Sequence, residues 1–308
     1  MRLAALEPYL VGLVDSFGLT ENLVAVCGGC PAFTKGKVTK ARVSGRALSV
    51  TARAYSLEAS ICSQILNPTE LQAADPEVII TQVPADKELV PLVLDNLRED
   101  LAALLGHEVS VFSYNPCTLD GVFEVYQRLA RDLGVPDKGL ELAHRQKAQF
   151  MVWGDNFYER IKGKRLSVLS SVEPLKLAGL WVPDLIRLAG ALSQAPADGQ
   201  PGPEVEWVDV LKYRPDVILV APEGMDLKDA ARLFRYFEKL PGWDDIPAVK
   251  RGEVYFASGA THFYRPGPEL TQSMAVLMSV LAGFESGYIT PRDSFYKLRW
   301  LEVQRHRF

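Results

Sequence analysis

His262-Phe263-Tyr264-Arg265 puts an imidazole, two aromatic faces and a guanidinium on one short stretch. These side chains suit binding. A neutral imidazole ligates transition metals such as cobalt or iron, and aromatic faces stack on flat apolar surfaces. His262 has three roles open to it: axial base to a bound metal, hydrogen bond to a ligand's edge, or a rim histidine touching only water. Coordination by an unperturbed imidazole would weaken as pH falls below about 6.5. Val254-Tyr255-Phe256, just upstream, reads as a buried strand. Gly259 breaks it, and Pro266-Gly267-Pro268 stops regular structure from resuming. The four side chains are therefore expected on a loop at the carboxyl end of a strand, where open α/β sheets bind ligands. An apolar helix, Leu270 to Leu281, would back the loop.

Cys27-Gly28-Gly29-Cys30 has the C-x-x-C spacing of a metal or redox pair, on glycines that let backbone approach a ligand closely. A structural zinc site needs about four ligands, and no second close pair of Cys or His follows. Cys62 and Cys117 stand alone, and the histidines are scattered at 107, 144, 262 and 306. No nucleophile–base signature, phosphate-cradling loop or dinucleotide fingerprint is present. The sequence thus points to binding rather than catalysis, with no nucleotide cofactor. The alternative is a metal- or cluster-dependent enzyme using Cys27, Cys30 and His262.

The elements that would position these residues alternate. Strands are expected at Leu3–Leu6, Leu23–Val26, Ala47–Ala52, Pro76–Gln82 and Val109–Phe112, with helices between them, Leu57–Leu66 among these. A stretch near 138–162, apolar at helical spacing, reads as one helix of about 24 residues, roughly 36 Å long; a break at Gly154 is the alternative. Alternation then resumes with Arg165–Leu169 and with Pro215-Asp216-Val217-Ile218, which repeats the pattern of Pro76-Glu77-Val78-Ile79, and an amphipathic helix is expected over Leu227–Leu240. The expected fold is α/β: two Rossmann-like lobes with mainly parallel sheets, 1–136 and 163–308, joined by a single long helix at 137–162. Among its 308 residues, 34 basic against 38 acidic side chains give a net charge of −4, which disfavours nucleic acid as a partner. No apolar run approaches the roughly 20 residues of a membrane span. As it stands the sequence reads as cytoplasmic, or as periplasmic or lipid-anchored if a leader precedes it.

Three segments carry a resemblance. They are Gly179-Leu180-Trp181-Val182-Pro183-Asp184-Leu185; Arg214-Pro215-Asp216-Val217-Ile218-Leu219 through Pro241-Gly242-Trp243 and Ile246-Pro247-Ala248-Val249; and Arg251-Gly252-Glu253-Val254-Tyr255 through Phe263-Tyr264-Arg265-Pro266-Gly267-Pro268. Together they resemble the cobalamin-binding subfamily of the helix-connected, two-lobed substrate-binding proteins that serve ABC importers. The likeness covers about residues 2–283. It implies a corrinoid or similar flat metal macrocycle in a cleft between lobes, with haem or a ferric siderophore as alternative ligands and an ABC permease as partner. Tyr9, Cys30, Tyr55, Tyr114, Glu173, Trp181, Glu223, His262, Phe263, Tyr264 and Arg265 are the ligand-binding residues this reading selects. Gly28-Gly29 stand where relatives carry His-Glu, and Val83-Pro84-Ala85-Asp86 where cysteines are common. The segment from Glu285 to Phe308 lies beyond the likeness; a C-terminal helix packed on a lobe is expected there, docking to a partner being the alternative.

Overall fold

The computed structural model describes residues 1–27, 41–43, 68–83, 90–285 and 287–298. The strand expected at Ala47–Ala52 and the helix at Leu57–Leu66 lie outside these. The chain forms two compact units, Met1–Asn115 with Val125–Leu140, and Pro116–Glu124 with Glu141–Phe308.

In the first unit the elements run β1 (Leu3–Ala5), α1 (Pro8–Ser16), β2 (Leu23–Cys27), β3 (Ala41–Val43), α2 (Pro68–Ala74), β4 (Val78–Thr81), α3 (Val90–Leu105) and β5 (Ser110–Ser113). Val-Ile-Ile-Thr makes β4 a β-branched strand, and Pro8 sits in the first turn of α1, where its missing N–H costs nothing. All five strands are parallel, in the order β3-β2-β1-β4-β5. One face sends Ala4, Ala25, Ile79 and Val111 against Leu71 of α2 and Leu97 and Leu101 of α3. Period-two alternation turns Leu3, Ala5 and Ile80 to the other face, and α1 packs on β1 and β2. Two long helices follow, α4 (Leu119–Asp132) and α5 (Pro136–Ile161). Thr118 caps α4 by accepting the Gly121 N–H at 3.1 Å.

The second unit holds β6 (Arg165–Val172), β7 (Leu175–Leu177), α6 (Val182–Leu188), β8 (Leu192–Ser193), α7 (Trp207–Tyr213), β9 (Val217–Val220), α8 (Leu227–Arg232), α9 (Phe234–Phe237), α10 (Pro247–Lys250), β10 (Val254–Ala257), α11 (Leu270–Ala282) and β11 (Phe295–Lys297). Its sheet runs β11-β10-β9-β6-β7, with β8 also on β6; β8, β6, β9 and β10 are parallel and the edges β7 and β11 antiparallel. Leu169, Ile218, Val220, Val254 and Phe256 bury one face against Phe234, Phe237, Trp243 and Ile246. The buried helix α11 packs against β9.

Three expectations are resolved. The long helix is a single one of 26 residues that runs through Gly154. A Cβ on that glycine would stand 3.2 Å from the Leu188 carbonyl, so it marks a close approach to the end of α6 rather than a break. The helix expected over Leu227–Leu240 is two short ones, because the Leu233 N–H bonds Ala230, a tighter turn than the α-helix makes. The expected C-terminal helix is corrected at its start: residues 295–297 form β11, where Phe295 and Tyr296 pair with Ala257 and Phe256. Residues 299–308 lie outside the description.

Candidate functional site

Strand order locates the crevice of each sheet. In an open α/β sheet, ligands bind beyond the carboxyl ends of the two neighbouring strands whose connections leave in opposite directions. In the first unit those strands are β1 and β4; in the second, β6 and β9.

Beyond β6 and β9 three segments converge. The Glu223 N–H donates to the Ser170 carbonyl at 2.9 Å. The loop after β10 then folds back over the loop after β9. Ala260 N–H donates to the Met225 carbonyl at 3.0 Å, and the Tyr264 hydroxyl to the Ala221 carbonyl at 2.7 Å. Gly259 permits this approach, since a Cβ there would lie 1.9 Å from the Pro222 carbonyl oxygen. Glu173 and Glu223 are exposed here. Burial first, and then the charge of Glu223, holds the Tyr264 phenol well above its usual range.

The tip of the loop is strained. The Tyr264 N–H donates to the His262 carbonyl at 2.9 Å, and Phe263 between them has φ of 72°. This is the left-handed form of the γ-turn, a strained conformation for a residue with a Cβ, costing on the order of 1–3 kcal/mol. Both backbone groups of Phe263 are held. Its N–H donates to Ser273 Oγ at 2.9 Å, and its carbonyl accepts from Trp181 Nε1 at 2.7 Å. The Phe263 ring is fully buried, edge-on to His262 at 6.1 Å and to Tyr264 at 6.3 Å.

His262 is 6% exposed, and its Nδ1 is buried without a hydrogen-bond partner. Burial pushes the imidazole down to about 4, so it is neutral at pH 7, and the loss of coordination expected near pH 6.5 moves down with it. Arg265 is half-buried, with no hydrogen bond or ion pair among the described residues. Four residues further on, at the start of α11, one carboxylate oxygen of Glu269 is buried unpartnered; burial raises this group, and Arg265 partly offsets it.

The other residues selected from the sequence fall differently. Tyr9 is in the interior of the first unit, its hydroxyl donating to the Tyr114 carbonyl at 2.7 Å. Tyr114 is also interior, donating to Asp132 at 2.6 Å. Trp181 is 3% exposed. These three rings and that of Phe263 are all buried within their own units; aromatic spacing selected them, and aromatic spacing is equally the signature of a core. Cys30 and Tyr55 lie outside the described residues, and Cys27 closes β2. Sequence reasoning missed Ser273, which sits on a helix that looked uniformly apolar, and Glu269, which immediately precedes it. A separate hollow of about 670 Å³ in the second unit is lined by Leu119, Phe123, Phe150, Met151 and Leu188 and contains none of the selected residues. Its charged side chains are already paired, Lys147 with Asp120 and Arg187 with Asp184.

The sequence model for periplasmic binding proteins matches residues 3–260. The chain belongs to that family. Solved structures with the same fold include a possible iron-binding (periplasmic solute-binding) protein of Staphylococcus epidermidis, 19% identical, with TM-score 0.68 over 91% of this chain and 98% of that one. The periplasmic vitamin B12 binding protein BtuF of Vibrio cholerae is 20% identical, with TM-score 0.61 over 91% and 96%. The periplasmic heme-binding protein RhuT from Roseiflexus sp. RS-1 is 19% identical, with TM-score 0.64 over 92% and 98%. No curated protein sequence matches the chain. This binding protein is thus non-catalytic, of a family that delivers small molecules to ABC permeases, and the enzyme built on Cys27, Cys30 and His262 is set aside. No helix among its described residues is long and apolar enough to cross a membrane.

Proposed function

We propose that this binding protein carries a corrinoid or a related metal macrocycle for ABC-type uptake or handling, with haem or a ferric siderophore as the alternative ligands. One juxtaposition carries the reading. A single loop beside the β6/β9 crevice holds a neutral imidazole with a buried nitrogen that has no hydrogen-bond partner among the described residues, and a half-buried guanidinium that makes no hydrogen bond or ion pair among them beyond its longer-range attraction to Glu269. Leaving the buried imidazole nitrogen unmet is costly, and the half-buried guanidinium is open to a further partner. A ligand that meets both offers a metal or donor to the first and an acidic or amide edge to the second. Three similar structures are described as a possible iron-binding protein, a vitamin B12 binding protein and a heme-binding protein, which supports a metal-bearing ligand without choosing within the class.

The ligand-facing set proposed on the second unit is Glu173, Glu223, His262, Tyr264 and Arg265; Cys30 and Tyr55 stay as proposals on the first. A titration of the purified protein with cyanocobalamin, haemin and a ferric hydroxamate, followed by visible absorption and calorimetry, tests it. Metal-free porphyrin and iron-free hydroxamate serve as controls. One metal-bearing ligand should bind with a spectral change. Binding of none, or equal binding of the metal-free controls, would overturn the proposal.

A further inference from the structure

The γ-turn at Phe263 poses a question that ligand contact does not answer. Left-handed φ is the province of glycine, yet a phenylalanine occupies it, with its ring wholly buried. Glycine would ease the backbone but lose the ring that anchors the turn between His262 and Tyr264. The chain keeps the ring and instead binds both backbone groups of the strained residue from outside the loop. One partner is Ser273, on the first turns of α11; the other is Trp181, at the start of α6.

Trp181 is itself mounted on constrained backbone. Leu180 has φ of 53°, and its N–H donates to the Gln200 carbonyl at 2.7 Å. Gly179 lies against Gly202, where a Cβ would stand 2.2 Å from the Gly202 nitrogen. The indole N–H is thus delivered from a fixed base to a fixed target. Freed of both bonds, Phe263 would relax toward ordinary φ, and the side chains on either side of it would turn with the backbone.

We propose that Trp181 and Ser273 are positioning residues, which clamp Phe263 in its γ-turn and so hold His262 and Arg265 in their ligand-binding directions. The proposal rests on the reading that this loop binds the ligand. It assigns to Trp181 a role other than stacking.

The test compares wild type with Trp181→Phe, which keeps a ring and loses the donor, and with Ser273→Ala, which loses the acceptor. Ser279→Ala is the control, since Ser279 is a fully buried hydroxyl on the same helix with no hydrogen-bond partner. Two quantities are read: affinity and visible spectrum with whichever panel ligand the wild type binds, and amide exchange across 258–266 without ligand. Trp181→Phe and Ser273→Ala should each weaken binding at least tenfold, alter the bound spectrum and speed exchange in the loop, and Ser279→Ala should do none of these. Wild-type affinity in both variants, or an equal loss in Ser279→Ala, would overturn the clamp. If Trp181→Phe does not fold, Ser273→Ala decides alone. A wild type that binds no panel ligand fails the functional reading instead, and the exchange data still judge the clamp: unchanged exchange in both variants overturns it.

Discussion

The indole Nε1–H of Trp181 reaches the carbonyl of Phe263 at 2.7 Å, joining residues 82 apart in the chain. Through that bond the start of α6 supports the loop after β10. The loop's geometry therefore depends on a residue far from it in the chain.

Acid should destabilise this protein in a window set by His262. Its folded value is depressed to about 4 from an ordinary 6.5. Between those values the unfolded chain binds a proton that the folded one refuses, so stability falls as pH drops from about 6.5 to about 4 and the group contributes no further loss below that. The full span is about 3 kcal/mol at most. Urea unfolding at intervals over pH 4–7 should show this loss in wild type and a smaller one in His262→Leu. Parallel pH curves for the two would contradict the burial of the imidazole.

Gly259→Ala should be costly. Its Cβ would meet the Pro222 carbonyl oxygen at 1.9 Å, and backbone on both sides leaves little room to give. A loss of about 1–3 kcal/mol in denaturant unfolding is expected, as for other overpacked sites. Binding should weaken too, because the β10 loop must lift. Wild-type stability in this variant would show that the two loops do not touch as described.

Tyr9→Phe separates the interior reading of that residue from the ligand-binding one. The hydroxyl donates to a buried carbonyl, so its loss should cost about 1–2 kcal/mol. Ligand affinity, measured well below the melting point, should not move. A drop in affinity with unchanged stability would return Tyr9 to the binding surface.

Arg265→Gln should do the reverse. No ion pair or hydrogen bond is lost within the described residues, so stability should shift by no more than about 0.5 kcal/mol. Affinity for an acidic- or amide-edged ligand should fall about tenfold or more, the worth of a charge-assisted hydrogen bond. Equal affinity in calorimetry would remove Arg265 from the site.

Much of the architecture was decided by local pattern. The twin runs Pro76-Glu77-Val78-Ile79 and Pro215-Asp216-Val217-Ile218 became β4 and β9, because β-branched residues behind a proline turn fit a buried strand. The helix of α5 was legible from its apolar spacing, and the loop after β10 from Gly259 and the prolines that flank it. Such signals act within a few residues and need no distant partner. What the loop does was decided elsewhere. Tyr9, Tyr114 and Trp181 look like ligand aromatics in one dimension, and only the packing of their units makes them interior. Edge strand β11 was hidden because three residues carry no period of their own and pair only once β10 is in place. Phe263 has no glycine to announce its left-handed turn, and the hydrogen bonds that Trp181 and Ser273 bring to its backbone come from other elements of the fold. Local propensity sets where strands and loops fall; the neutrality of His262 and the strain at Phe263 belong to tertiary contacts that no window of sequence contains.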